Sequence, residues 1–221
     1  MPRIEAVLFD VDGTLLDTRD AWVEAFDGGL SAIGTHPMAG SEAARWIGTP
    51  IETIYAERCG LSGEELSRAV QAFQRVEAES IRHGVRAYPG IAEMLAGLGA
   101  WRLGAVTNKR RDPTLESLRI TGLLDRFVVV LGGDSVPKKK PAPDPIRMAA
   151  SELHLPPSAC AVVGDTENDV MAGKSAGVRT IGVTWGYGTR ARIEAAGVDH
   201  LIEAPQALAP LLRALTPSTG P

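Results

Sequence analysis

The sequence predicts an α/β fold: a doubly wound, mainly parallel sheet with an α-helical domain inserted after its first strand. Three observations point to it. Short, near-continuous apolar runs recur along the chain, as they do in strands buried on both faces. Helical patterns separate those runs, the signature of alternating strands and helices. One long stretch, from about Thr18 to Val85, carries helical patterns and no convincing strand.

In chain order, Ile4 to Phe9 (IEAVLF) is a buried strand that ends at Asp10 and a Gly-Thr turn. Within the insert the longest helical pattern runs through Leu66, Ala69, Val70, Phe73, Val76 and Ile81. Gly84 to Pro89 (GVRAYP) then returns the chain as a hinge or linker. Further strands are expected at Leu103 to Val106, Phe127 to Leu131, Ala161 to Val163 and Thr180 to Val183. Between them, Ile91, Met94, Leu95 and Leu98 recur at helical spacing, as do Ile146, Ala149, Ala150 and Leu153. Asp112-Pro113 and Asp144-Pro145 each read as a capping carboxylate before a proline at the first helical position, and Gly177 reads as a helix stop. The expected division is a core of residues 1–17 and 86–215, a helical cap of residues 18–85, and a disordered tail of residues 216–221.

Composition excludes several classes. With 221 residues, 44% apolar and 23% charged, the chain is long enough to bury a core and has ordinary globular character. A net charge of -4 and the lack of a basic stripe argue against a nucleic-acid partner. No stretch approaches the roughly 20 apolar residues that span a bilayer, and Glu5 and Asp10 bracket the first apolar run where a signal peptide would be basic. The expectation is a cytoplasmic protein, monomer or homodimer, acting on a small molecule, with Cys59 and Cys160 as reduced thiols.

The chemistry lies at the strand ends. Asp10 and Asp12 flank Val11 in a tight turn, where two carboxylates repel unless a cation neutralises them. Magnesium, which takes a few oxygen ligands plus water, fits. Read alone, Asp10 to Thr14 also fits a capped turn with solvated acids. Three further strand ends add Thr107-Asn108, Lys140 before Pro141, and Gly164 to Asp169 (GDTEND). Ligands of open α/β sheets bind outside the carboxyl ends of the strands, so these four groups should converge. Together they supply what phosphoryl transfer requires: a carboxylate nucleophile, an acid/base, a metal site and donors for phosphoryl oxygens.

In order and setting, DVDGT at Asp10, VTN at Val106 to Asn108, KKPAPDP at Lys139 to Pro145 and GDTEND at Gly164 to Asp169 resemble the four motifs of the haloacid dehalogenase-like superfamily. The resemblance covers essentially the whole chain. The helical insert looks like that superfamily's type 1 cap on a Rossmann-like core, and Ile181 to Gly188 (IGVTWGYG) looks like its phosphoglycolate phosphatase branch. The resemblance implies that Asp10 attacks phosphorus to form an aspartyl-phosphate, and that Asp12 protonates the leaving group and then activates water. It implies magnesium held by Asp10, the backbone carbonyl of Asp12, and Asp165. Thr107, Asn108 and Lys140 would hold phosphoryl oxygens. Asp169 would orient Lys140 or a metal-bound water, and Glu167 is a further acid that some relatives use as a ligand.

Other readings stay open beside these. Arg45, near Gly48 in the insert, reads as a specificity residue that grips a substrate anion, or equally as an exposed helix arginine. Lys138 and Lys139 read as surface charge. Trp22, Trp46 and Phe73 read as cap packing rather than a stacking surface, and the four histidines show no ligand spacing. The expected reaction is hydrolysis of a small phosphomonoester, best matched to 2-phosphoglycolate. Inorganic pyrophosphatase, sugar-phosphate or nucleotide phosphatase, and phosphomutase are the alternatives. The insert has no lysine for a Schiff base, which argues against phosphonate cleavage, and Asp12 argues against dehalogenation.

Overall fold

The structure, a computed structural model, describes residues 3–215; the tail 216–221 lies outside them. Its strands are β1 (Ala6–Phe9), β2 (Leu16–Asp17), β3 (Arg86–Ala87), β4 (Arg102–Val106), β5 (Val129–Leu131), β6 (Cys160–Gly164), β7 (Arg179–Val183) and β8 (His200–Ile202). Six of them form one parallel sheet in the order β5-β4-β1-β6-β7-β8. The chain steps from β1 to one side of the sheet and later to the other, which puts the switch point at β1.

Strand residues alternate between the two faces. Val7 and Phe9 join Leu103, Ala105 and Val163 in one apolar cluster, while Ala6 and Leu8 join Val106, Val129 and Val162 in another. The helices of the core are α5 (Ile91–Ala96), α6 (Arg111–Ile120), α7 (Asp144–Glu152), α8 (Glu167–Ala176), α9 (Arg190–Ala195) and α10 (Leu208–Leu215), counted after four that precede them. Ile91, Met94 and Leu95 of α5 and Leu208 and Leu212 of α10 cover the first cluster; Ile146, Ala149 and Ala150 of α7 and Ala172 and Ala176 of α8 cover the second. Covering both faces explains why the strands read as unbroken apolar runs.

The inserted segment holds α1 (Arg19–Ser31), α2 (Gly40–Ala43), α3 (Ile51–Glu57) and the 22-residue α4 (Gly63–Gly84). They close around their own cluster, centred on Phe26, whose ring stacks on Trp22 and on Tyr55 at centroid separations of 5.2 Å each and meets Trp46 edge-on at 5.8 Å. Gly29 of α1 permits a close crossing with α3 and α4: a Cβ there would lie 1.9 Å from Tyr55 Oη and 2.8 Å from the Ala69 carbonyl oxygen. The two chain passages between insert and core are zipped together by β2 and β3, which pair antiparallel.

Some boundaries differ from the sequence expectation. β8 was not expected, because three residues headed by a histidine show neither alternation nor a long apolar run. The β2–β3 ribbon has two residues per strand, too few for periodicity to register. Helices α6 and α7 begin earlier than their Asp-Pro pairs implied, so Asp112 and Asp144 lie in the first turn and make no cap hydrogen bond. For α6 a remote acid does that work, Asp134 accepting from the Arg111 N–H at 2.8 Å. Gly177 does end α8, in a left-handed conformation at φ 80. Both cysteines are free.

The close crossing at Gly29 gives a direct test. Gly29→Ala should destabilise the protein by about 1–3 kcal/mol through overpacking, lowering Tm by about 2–4 °C per kcal/mol. At Gly99 an added Cβ meets nothing within 4 Å, so Gly99→Ala should leave Tm unchanged in the same calorimetric measurement.

Candidate active site

The site begins where β1 ends. Asp10 and Asp12 leave the strand in a tight loop, in which the Leu15 and Leu16 N–H groups both donate to the Val11 carbonyl and the Gly13 N–H donates to the Leu16 carbonyl. Gly13 sits at φ 93, and a Cβ there would come within 2.3 Å of Asp165 Oδ2, so the turn and the acid beside it both require glycine.

Lys140 is the centre of the arrangement. It is 3% exposed, and its Nζ donates to Asp10 Oδ1 at 2.6 Å, Asp169 Oδ1 at 2.6 Å and the Val106 carbonyl at 2.8 Å. An ammonium has three donors, and all three are engaged. The Lys140 backbone is clamped in turn by Asn108, whose Oδ1 accepts from the Lys140 N–H at 2.8 Å while its Nδ2 donates to the Lys140 carbonyl at 2.9 Å. The second Nδ2 hydrogen goes to the Gly48 carbonyl of the helical insert at 2.9 Å. Asn108 was expected to hold a phosphoryl oxygen, but both amide hydrogens of its side chain are taken. Its work in this state is to position Lys140 and to tie the insert to the core. Thr107 remains suited to such a contact: it is buried beside Asp10, and its Oγ1 accepts from the Lys109 N–H at 3.2 Å, leaving its own hydrogen free to donate.

β6 delivers Asp165 and, through the first turn of α8, Asp169. Asp165 is fully buried and accepts from Thr14 Oγ1 at 3.1 Å and from the Tyr187 N–H at 2.7 Å. Asp169 forms a capping box with Thr166, its Oδ2 accepting from the Thr166 N–H at 3.1 Å and hydroxyl at 2.7 Å. One oxygen of Asp169 therefore fixes the helix and the other fixes Lys140. Glu167 lies apart, half-buried, and pairs with Arg192.

Asp10, Asp165 and Asp169 each offer an oxygen within 4.8 Å of the others. Three buried carboxylates thus face one ammonium. Burial raises Asp10 well above the usual carboxylate range, Lys140 pulling it down and Asp169 and Asp165 pushing it up. Burial and the Asp169 charge push Asp165 to about 7. Burial works against the Lys140 charge, yet Asp10 and Asp169 hold its pKa above the usual lysine range. This excess of buried negative charge around oxygen ligands suits a hard divalent cation. The Asp12 side chain stands outside the group, which leaves its backbone carbonyl as the atom expected to serve a metal.

A small cavity of about 50 Å3 opens above Asp10 and Asp12, between core and insert. Thr107, Lys109 and Lys139 line it from the core, and Trp22, Thr49, Phe73, Gln74 and Glu77 from the insert. Trp22 and Phe73 were read as packing, and they both pack edge-on at 6.0 Å and wall the cavity. Lys139 was read as surface charge; its Nζ instead donates to Glu52 of α3 at 3.0 Å, while Lys138 is exposed. Arg45 does not reach this cavity. It is exposed and lines separate clefts with Arg58, Glu167 and Arg192, because the turn that follows presents the Gly48 backbone to Asn108 instead. Sequence reasoning missed Lys109 and Glu77. The available signal for Glu77 was a lone acid on the apolar stripe of α4, four residues from both Phe73 and Ile81.

Comparison with known proteins agrees with this geometry. The haloacid dehalogenase-like hydrolase family model matches residues 7–183. A phosphoglycolate phosphatase from Nitrosospira multiformis is 38% identical over 192 residues, covering 83% of this chain and 85% of that protein. A pyrophosphatase from Bacillus velezensis is 32% identical over 203 residues, covering 91% of this chain and 93% of that one. Among solved structures, a haloacid dehalogenase-like hydrolase from Streptococcus pneumoniae superposes with a TM-score of 0.85 at 25% identity, covering 94% of this chain and 98% of that one. With the motifs, the sheet order and the acid cluster in place, the chain belongs to the haloacid dehalogenase-like hydrolase family, among relatives that are phosphatases.

Proposed function

We propose that the protein is a magnesium-dependent phosphomonoester hydrolase that works through an aspartyl-phosphate on Asp10, with 2-phosphoglycolate the first substrate to test. The observation that carries this reading is the Asp10 carboxylate held at the cavity floor by the buried Lys140 ammonium at 2.6 Å. Lys140 fixes the direction of one Asp10 oxygen and offsets charge that accumulates in the transition state. The other oxygen is the nucleophile. It forms a bond to phosphorus as the ester P–O bond breaks, and the leaving oxygen takes a proton from Asp12. Asp12 then takes a proton from the water that cleaves the intermediate. Thr107 donates to a phosphoryl oxygen, and Asn108 keeps Lys140 in place. Asp10, the Asp12 carbonyl and Asp165 are the groups that would hold the metal. When bound there, a divalent ion offsets the carboxylate charge and polarises the phosphoryl group.

The cavity also bears on the substrate. A single water needs about 10–15 Å3 of such space, so a cavity of about 50 Å3 is confined, which favours a small phosphorylated metabolite over a nucleotide. Arg110 and Lys139 also line the cavity, and they suit a second anionic group on the substrate. A carboxylate, as in 2-phosphoglycolate, or a second phosphate meets that requirement, so inorganic pyrophosphate is the second reading, in keeping with the Bacillus velezensis relative. A phosphomutase would need a grip on a distal phosphate, and Arg45, the residue expected to provide it, lies outside the cavity. No described helix is long and apolar enough to cross a membrane; a cytoplasmic location is part of the proposal.

Phosphate release from a panel of small phosphomonoesters and pyrophosphate tests the reading. Wild type with magnesium should turn over at least one of them, and EDTA or Asp10→Asn should abolish that turnover; equal rates in all three samples would refute it. Arg45→Ala should leave kcat/KM within about twofold, as for a surface substitution, and a reordered substrate ranking would return Arg45 to the site.

The raised carboxylates give a pH dependence with a definite sign. Between the ordinary aspartate value of 3.8 and about 7, Asp165 holds its proton in the folded state and has lost it in the unfolded one. The folded state then binds more protons, so Asp165 makes metal-free stability fall as pH rises through that window. Magnesium competes with the same protons. The rise in Tm on adding magnesium should therefore grow as pH passes through about 7; a rise independent of pH would contradict the assignment of Asp165 to the metal.

A further inference from the structure

Glu77 takes no part in the reaction described above, yet it is 5% exposed on α4, one turn from buried Phe73 on one side and buried Ile81 on the other. Burial raises its carboxyl above the usual range, with Lys109 acting against that. Its partner is Lys109, whose Nζ lies 3.6 Å from Glu77 Oε1 and 3.4 Å from Asp12 Oδ1. The three side chains are between 6% and 9% exposed and line the same cavity. One ammonium thus joins a helix of the insert to the carboxylate at the strand end that faces the leaving group.

A buried carboxylate on an apolar helix face is costly, and removing one partner of such a group leaves the others uncompensated. An adhesive contact between insert and core needs no such group, since the Asn108 amide already donates to the Gly48 carbonyl across the same seam. What the arrangement adds is direction. By engaging Oδ1, Lys109 sets the rotation of the Asp12 carboxyl, and so sets where its second oxygen points. Glu77 sets where Lys109 sits.

We propose that Glu77 is a positioning residue: seated with α4, it holds Lys109 against Asp12 so that the Asp12 proton is aimed at the leaving oxygen. The inference rests on Asp12 as the general acid of the proposed reaction. Proton delivery then depends on the position of α4, because Lys109, which holds the Asp12 carboxyl from the core, is itself held by Glu77 of the insert.

The test compares two phosphomonoesters with magnesium present: an alkyl ester, 2-phosphoglycolate or the best alkyl substrate found, whose leaving oxygen needs a proton, and 2,4-dinitrophenyl phosphate, whose leaving group departs without one. The quantity read is kcat/KM, which reports the step that forms the covalent intermediate. For Glu77→Gln, kcat/KM on the alkyl ester should fall about 10- to 100-fold, the scale of a misaligned acid. On the aryl ester it should fall far less, and Glu77→Asp should recover part of the alkyl activity. Because both rates scale with the folded fraction, their ratio is insensitive to partial unfolding. An equal loss on both esters, or no loss on either, overturns the role given to Glu77. If wild type hydrolyses neither ester, or Asp10→Asn hydrolyses both, the phosphatase reading itself fails and the inference falls with it.

Discussion

The structure turns on one electrostatic constraint: Asp10, Asp165 and Asp169 are buried together at the carboxyl ends of the central strands, and among the described residues the Lys140 ammonium is the one cation paired with them. Like charges this close are tolerated where something offsets them. Much of the surrounding architecture does that. The Lys140 backbone is clamped by Asn108, Asp165 accepts from Thr14 and the Tyr187 backbone, and Asp169 is fixed by the first turn of α8. The charge that remains uncompensated is what makes the site suited to a divalent cation, and to a reaction in which a carboxylate must attack an anion.

The constraint also explains the order of the sheet. Asp10 follows β1, Thr107 and Asn108 follow β4, Lys140 lies beyond β5, and Asp165 follows β6. These four strands are neighbours in the order β5-β4-β1-β6. Their shared direction brings every loop to one edge. The insert leaves from the same edge between β1 and β4, so its helices stand over the acids and contribute the cavity's far wall. Tyr187, from the loop after β7, binds the base of that insert, its hydroxyl accepting from the Thr18 N–H at 2.7 Å and meeting Asp17 Oδ1 at 3.0 Å.

Most of the core was legible because strands buried on both faces leave long apolar runs, and because Asp10, Thr107, Lys140 and Asp165 each sit directly behind or near such a run. What escaped had a physical reason. The β2–β3 ribbon and β8 are shorter than any period. Asn108 was singled out as a phosphoryl ligand, and in the structure its amide clamps the Lys140 backbone; an amide with that task looks in sequence like one that binds a ligand. Arg45 illustrates the reverse case: its charge suggested an anion grip, whereas the turn after it offers the Gly48 carbonyl to Asn108 and leaves the guanidinium outside. Lys109 and Glu77 are partners separated in sequence by the end of α4, β3, α5 and β4, and their pairing exists only once α4 is folded against the core.

The central claim is that Asp10 becomes covalently phosphorylated during turnover. The most direct measurement is an acid quench of the magnesium-loaded enzyme at steady state with its best substrate, followed by peptide mass spectrometry. The account predicts one added phosphoryl group on the peptide containing Asp10, located at that residue and removed by base. Steady turnover with no phosphoryl group on Asp10, or with one on a different residue, would contradict it.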